Sequence, residues 1–168
     1  MIKKPEKIKV YLSGPITIQP EDFEQRFNEL ETKINSLSFS QQFVKTATES
    51  IFEAINPTKT EQSLVPENEK WTQNSWFVFI KKDLDLIQTC DTILLMPDWD
   101  ISPGCTVEYI AAKKLGLGEL FLDRVGNVSH SPLLDGRYTF EAVNNFKSIS
   151  YVPKIFYEKL TKWVEYFS

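Results

Sequence analysis

The sequence predicts an α/β protein whose mostly parallel, five-stranded sheet carries helices on both faces. Three observations lead there. Short apolar runs alternate along the chain with stretches of helical period, and strands alternating with helices form parallel sheets through crossover connections. Residues 92–96 are a nearly continuous apolar run between Asp91 and Pro97, as a strand covered on both faces requires. The chain has 168 residues, 42% of them hydrophobic and 25% charged, which suits one core and one domain spanning residues 1–168.

Each element has its own signal. Residues 8–13 alternate roughly apolar and polar and stop at Gly14-Pro15, a strand and a turn. Phe23, Phe27, Leu30, Ile34 and Leu37 recur at helical spacing and predict a helix over 21–37. Residues 51–55 form a second strand, ended by Asn56-Pro57. Residues 58–70 are polar and read as a loop. Phe77, Ile80, Leu84 and Ile87 mark one face of a helix over 73–89. After strand 92–96, a loop rich in Pro, Asp and Gly leads to a helix over 103–115, stopped by Gly116. Residues 119–122 form a fourth strand and 123–137 a loop. The stretch 138–152 is ambiguous, with a fifth strand expected at 148–152. A closing amphipathic helix over 153–167 carries Ile155, Phe156, Leu160, Trp163, Val164 and Phe167.

Composition narrows the function. The net charge of −4 argues against a protein that grips nucleic-acid backbones. No apolar run approaches the ~20 residues of a membrane span. No signal-peptide core follows the charged start of the chain, which predicts a cytoplasmic protein. Cys90 and Cys105 lack metal-ligand spacing and read as reduced thiols. The single histidine, His130, leaves no His-rich metal site, so acid–base chemistry falls to carboxylates.

Ligands of such folds lie beyond the carboxyl ends of the strands. The stretch from Pro97 to Glu108 follows the clearest strand and opens a helix. Ser102 and Pro103 suit the cap and first turn, and a helix start with Gly104 suits an anion. Glu108 falls in the second turn, on the flank of the face formed by Val107, Ile110 and Ala111. It reads as a functional acid or as a solvated residue of a well-capped helix. Asp83 sits at the edge of the preceding helix's buried face. A second carboxylate beside Glu108 would raise one pKa and divide the roles of nucleophile and acid; otherwise it is a surface acid beside Lys81 and Lys82. Gly14 would permit close approach to a ligand, with Tyr11 and Ser13 as hydrogen-bond donors. Trp99 offers a ring for stacking or for packing. Cys105 is either reactive beside a helix start or a small packing residue.

Taken in order, Val-Tyr-Leu-Ser-Gly-Pro-Ile at 10–16, Asn56-Pro57, Asp83 with Cys90-Asp91, and Trp99 through Glu108 resemble the nucleoside 2-deoxyribosyltransferase superfamily over residues 8–122. That superfamily includes the 2′-deoxynucleoside 5′-monophosphate N-hydrolases. The resemblance implies a flavodoxin-like three-layer sandwich acting on a small-molecule nucleoside or nucleotide without metal or organic cofactor. It implies Glu108 as nucleophile at the anomeric carbon, Asp83 as the acid near sugar and leaving base, and Tyr11 as the aromatic residue that positions both. Ser13, Gly14, Pro15, Asp98, Trp99, Ser102 and Gly104 match positions around the substrate. Six residues before the nucleophile the transferases carry Asp and the hydrolases Ser, matching Ser102. The hydrolases' phosphate loop carries Ser and Arg where this chain has Pro15 and Thr17. The resemblance also implies a homo-oligomer in which a neighbouring subunit lends a polar residue such as Asn127, Ser129 or Ser131. Two other readings stay open: a non-catalytic nucleotide-binding module, and an interaction protein using Trp163, Tyr166 and Phe167.

Overall fold

The computed structural model describes residues 2–16, 18–37, 50–61, 72–129 and 154–167. Four parallel strands form the sheet: β1 (Ile8–Ser13), β2 (Phe52–Ile55), β3 (Thr92–Leu95) and β4 (Gly118–Leu122), in the order β2-β1-β3-β4. The chain passes from β1 to β2 on one side and then crosses to β3 on the other, so the direction of winding switches between β1 and β3. A two-residue strand, β5 (Val128–Ser129), pairs antiparallel with β4 at the edge.

Among the described residues the sheet thus has four parallel strands with β5 antiparallel at the edge, and the strand expected at 148–152 lies outside those residues. β5 falls in a stretch expected to be loop. Asp123 makes the hairpin there: its carboxylate accepts from the Val125 and Asn127 N–H groups at 2.9 and 2.8 Å, and Gly126 supplies the positive φ of 91°.

Helix α1 (Phe23–Ser36) buries Phe27, Leu30 and Ile34 as the spacing predicts. With α5 (Lys154–Phe167) it covers one face of the sheet. That core gathers Phe27 and Ile34 of α1, Phe156, Leu160 and Trp163 of α5, and Ile8, Val10 and Leu12 of β1. Trp163 is fully buried and its Nε1 donates to the Glu6 carbonyl at 2.9 Å. Trp163 is therefore core, with Tyr166 and Phe167 partly buried against it. Lys159 of α5 also pairs with Asp91 at 2.8 Å, while Asp91 accepts from the Lys9 N–H.

The other face carries α3 (Gln73–Ile87) and α4 (Pro103–Leu115) over Tyr11, Ile93, Leu95 and Phe121. A four-residue helix, α2 (Thr58–Glu61), occupies the start of the expected 58–70 loop. Asn56 starts it by accepting from the Thr58 N–H and hydroxyl at 3.1 and 2.7 Å, so Asn56-Pro57 serves the backbone here. No helix of the described residues is long and apolar enough to cross a membrane.

Candidate functional site

Successive side chains of a strand point to opposite faces. Val10 and Leu12 of β1 enter the α1/α5 core, so Tyr11 and Ser13 face α3 and α4 at the carboxyl end of the strand. α4 begins just beyond β3, across the winding switch. Its ends are those the sequence marks: Ser102 at the cap position, Pro103 in the first turn and Gly116 at φ 74° beyond the last. The Ser102 hydroxyl makes no cap bond, although its backbone holds the cap conformation.

The buried stripe of α4 is Cys105, Glu108 and Ala112. This corrects the expected placement of Glu108 on the flank of Val107, Ile110 and Ala111, since Ile110 is exposed. Helix α3 also departs from its expected face. Ile80, Asp83 and Ile87 are buried, while Phe77 is 66% exposed. Asp83 thus lies within the buried stripe instead of at its edge. The reason is common to both helices: each turns a carboxyl inward toward partners on another element, and apolar residues give way.

Glu108 is 6% exposed and Asp83 8%. Tyr11 Oη donates to Glu108 Oε1 at 2.9 Å, and Ser13 Oγ donates to Oε2 at 2.5 Å. Both oxygens of one carboxyl are therefore held by hydroxyls from one strand. The Asp83 carboxyl lies within hydrogen-bonding reach of Glu108. Burial, and then the negative charge of Asp83, push the Glu108 carboxyl well above the usual carboxylate range. The Ser13 and Tyr11 bonds pull it back down, and the hydrogen bond with Asp83 raises it again. A buried carboxyl beside another acid is pushed toward its protonated form.

Cys105 lies beside this pair. Its thiol is pushed up to about 11, first by burial and then by the Glu108 charge, against the opposing pull of the nearby Ser102 and Ser13 hydroxyls. A thiol kept neutral and 2% exposed is a packing group, not a nucleophile.

The other expected residues fall into two groups. Gly14 approaches a protein side chain: an added Cβ would overlap Met96 Sδ and crowd Phe27. Pro15 is buried, and its carbonyl accepts from Arg26 Nη2 at 3.0 Å. Trp99 packs its ring on Tyr109 and Phe121, with centroids 4.7 and 6.4 Å apart. Asp98 has both oxygens engaged, one by Arg124 at 2.5 Å and one by Gln19 at 3.0 Å. Gly104, by contrast, has open space around it save for the Trp76 indole. Asn127 is tied to Asp123 at 3.0 Å. Ser129 lies in β5, while Thr17, His130 and Ser131 are outside the described residues.

Sequence reasoning missed Trp76, Gln19, Arg26 and Arg124. Trp76 had a signal: it stands seven positions before Asp83, two helical turns along the same stripe. The others had none. Arg26 holds the loop after β1 by donating to the Pro15 and Gln19 carbonyls and to Gln19 Oε1. Gln19 in turn reaches Asp98, and Asp98 reaches Arg124, so three loops at the carboxyl edge are strung together.

The fold and site define an α/β protein with a buried carboxyl pair at the winding switch of a parallel sheet. The chain belongs to the family described as a domain of unknown function, DUF4406, which matches residues 8–120. The matched stretch runs from the first residue of β1 into β4 and contains Tyr11, Ser13, Asp83 and Glu108. No curated protein matches the chain.

Proposed function

We propose that the chain cleaves the N-glycosidic bond of a (deoxy)nucleoside or nucleoside monophosphate through a glycosyl-enzyme intermediate, passing the sugar to water or to another base. The observation that carries this reading is the Glu108 carboxyl held at both oxygens with a second buried carboxyl facing it. A nucleophile must be oriented before it attacks, and a departing base must receive a proton. The resemblance to the nucleoside 2-deoxyribosyltransferase superfamily assigns these roles to Glu108 and Asp83, with Tyr11 as positioner.

The proton shared by the pair moves to Asp83 as Glu108 ionises. A Glu108 oxygen then bonds to the anomeric carbon, the bond to the base breaks, and Asp83 delivers its proton to the base. The product is a sugar ester of Glu108. In the second step water or an acceptor base attacks the same carbon, its proton returns to Asp83, and Glu108 leaves as carboxylate. The chemistry is that of a retaining glycosidase. A second buried carboxyl acting on Glu108 suits a proton passed between the acids before attack. The same resemblance carries the expectations of a flavodoxin-like class and a homo-oligomer.

The test is a panel of nucleosides and monophosphates, with and without acceptor base, followed by chromatography of the released base. Wild type releases base and Glu108→Ala does not; the acceptor distinguishes transferase from hydrolase. Mass spectrometry of the quenched protein finds the sugar on the peptide containing Glu108. Equal release by both proteins overturns the reading. Nucleotide binding by calorimetry with no release turns it into a non-catalytic binding module.

A further inference from the structure

We propose that Ser13 is a positioning residue that, together with Tyr11, fixes the plane of the Glu108 carboxyl, and that its hydroxyl is not a substrate contact. The kinetic arm of this proposal rests on the function proposed above; the titration arm does not.

A glutamate carboxyl turns easily about its last torsion, which is broad and roughly two-fold. One donor leaves that rotation as a hinge about the bonded oxygen. Two donors, one on each oxygen, remove it. Tyr11 takes Oε1 and Ser13 takes Oε2, and the two stand at alternate positions of one strand, so their spacing is set by the backbone. Ser13 itself has little freedom. It is 1% exposed, it sits in register with Leu95 of β3, and its carbonyl accepts from the Met96 N–H at 2.9 Å.

A serine hydroxyl has one proton to give. At Ser13 it goes to Glu108. Among the described residues, the groups besides Ser13 that face Glu108 are Tyr11 of β1, Asp83 of α3 and Cys105 of its own helix. The Cys105 thiol keeps its own proton, so it does not compete for that of Ser13. A substrate hydroxyl or base could bind the Ser13 donor only by breaking the bond to Oε2. Ser13 therefore leaves the group of substrate contacts and joins the groups that set the direction and charge of the nucleophile.

The test uses the full chain with Ser13→Ala and Ser13→Thr. Glutamate side chains are labelled with ¹³C at the carboxyl and titrated by NMR, with Glu108→Gln assigning the resonance. Ser13→Ala raises the Glu108 midpoint by about 0.5–1 pH unit, the scale of one lost hydrogen bond to an anion, and Ser13→Thr restores it. Should the added methyl of Ser13→Thr prevent folding, Ser13→Cys, close in shape but a weaker donor, gives an intermediate midpoint. A folded Ser13→Ala with an unmoved midpoint overturns the proposal. In base-release kinetics Ser13→Ala lowers kcat about tenfold or more and leaves KM within about twofold, as a lost orientation does. A raised KM with unchanged kcat overturns the proposal and returns Ser13 to the substrate. A shifted midpoint with no base release from wild type supports the positioning role and fails only the proposed activity.

Discussion

Asp83 and Glu108 stand on two different helices, both buried, and Asp83 acts on the Glu108 carboxyl by charge and by hydrogen bonding. Burial of either charge alone is costly. Together they disfavour a second charge and push Glu108 toward its protonated form, and the two ionisations belong to the pair more than to either residue. Under the proposed activity a proton kept there serves the chemistry, and its cost to folding is measurable.

Glu108→Gln is expected to stabilise the fold at neutral pH while abolishing base release. The folded carboxyl is raised above its ordinary value near 4.5, so the native state holds a proton that the unfolded chain releases. Stability is then fullest below about pH 4.5 and falls as pH rises through the folded value. Gln imitates the protonated form and does not ionise. Denaturant melts between pH 4.5 and 8 check this: the Gln variant gains on wild type as pH rises and matches it at the acid end. A constant difference across that range contradicts the assignment.

Asp83→Asn is expected to lower the Glu108 midpoint, because it removes the neighbouring negative charge that helps to raise it. The sign is opposite to that for Ser13→Ala. Carboxyl NMR reads it directly. With no acid left for the departing base, kcat falls by about 10²–10⁴, the ordinary worth of a positioned acid, and substrates with good leaving groups suffer least.

Cys90 and Cys105 are expected to resist thiol reagents in the native protein. Burial pushes both up to about 11, and both side chains are shielded. Iodoacetamide should label them only as fast as the protein opens, and at once in denaturant. Rapid native labelling of Cys105 would show a site open to solvent.

Gly14→Ala is expected to cost about 1–3 kcal/mol through overpacking against Met96, with the loss of activity following from displacement of β1's end. Pairing it with Met96→Val in a double-mutant cycle should recover a large part of that cost. Additive costs would mean that the glycine is needed for something other than the methionine.

Arg124→Ala is expected to change stability by less than about 1 kcal/mol, despite its short bond to Asp98. Its side chain is 76% exposed, where solvent and salt screen an ion pair. Urea melts at low and high salt give the number.

The order of elements was legible because periodicity is local. Residues 92–96 read as a covered strand, and Pro103 and Gly116 bracket α4 as punctuation. The four parallel strands came from the same reading, which singled out Glu108 and Asp83 only as alternatives to surface acids; the family resemblance gave them their expected roles. What the sequence concealed was the direction in which the helices turn. An apolar pattern placed Phe77 and Ile110 inside and the acids at the margin, because hydrophobicity counts a carboxyl as a surface group. Glu108 is buried because its partners, Tyr11 and Ser13, lie 97 and 95 positions away. The same holds for Gln19, Asp98 and Arg124, whose bonds join three separate loops. Contacts of that range leave no periodic trace.

The alternation along β1 has a consequence for how this protein can change. Leu12 belongs to one core and Tyr11 and Ser13 to the other, so a one-residue insertion or deletion in the strand would swing the hydroxyls into the α1/α5 layer and the leucine toward the acids. Such a chain would fail to fold before it failed to act. Point substitution at Glu108 or Asp83 meets no such barrier and relieves a buried charge. Loss of activity in descendants of this chain should therefore proceed by exchange of the acids on an unaltered strand, leaving the two hydroxyls of β1 behind as relics.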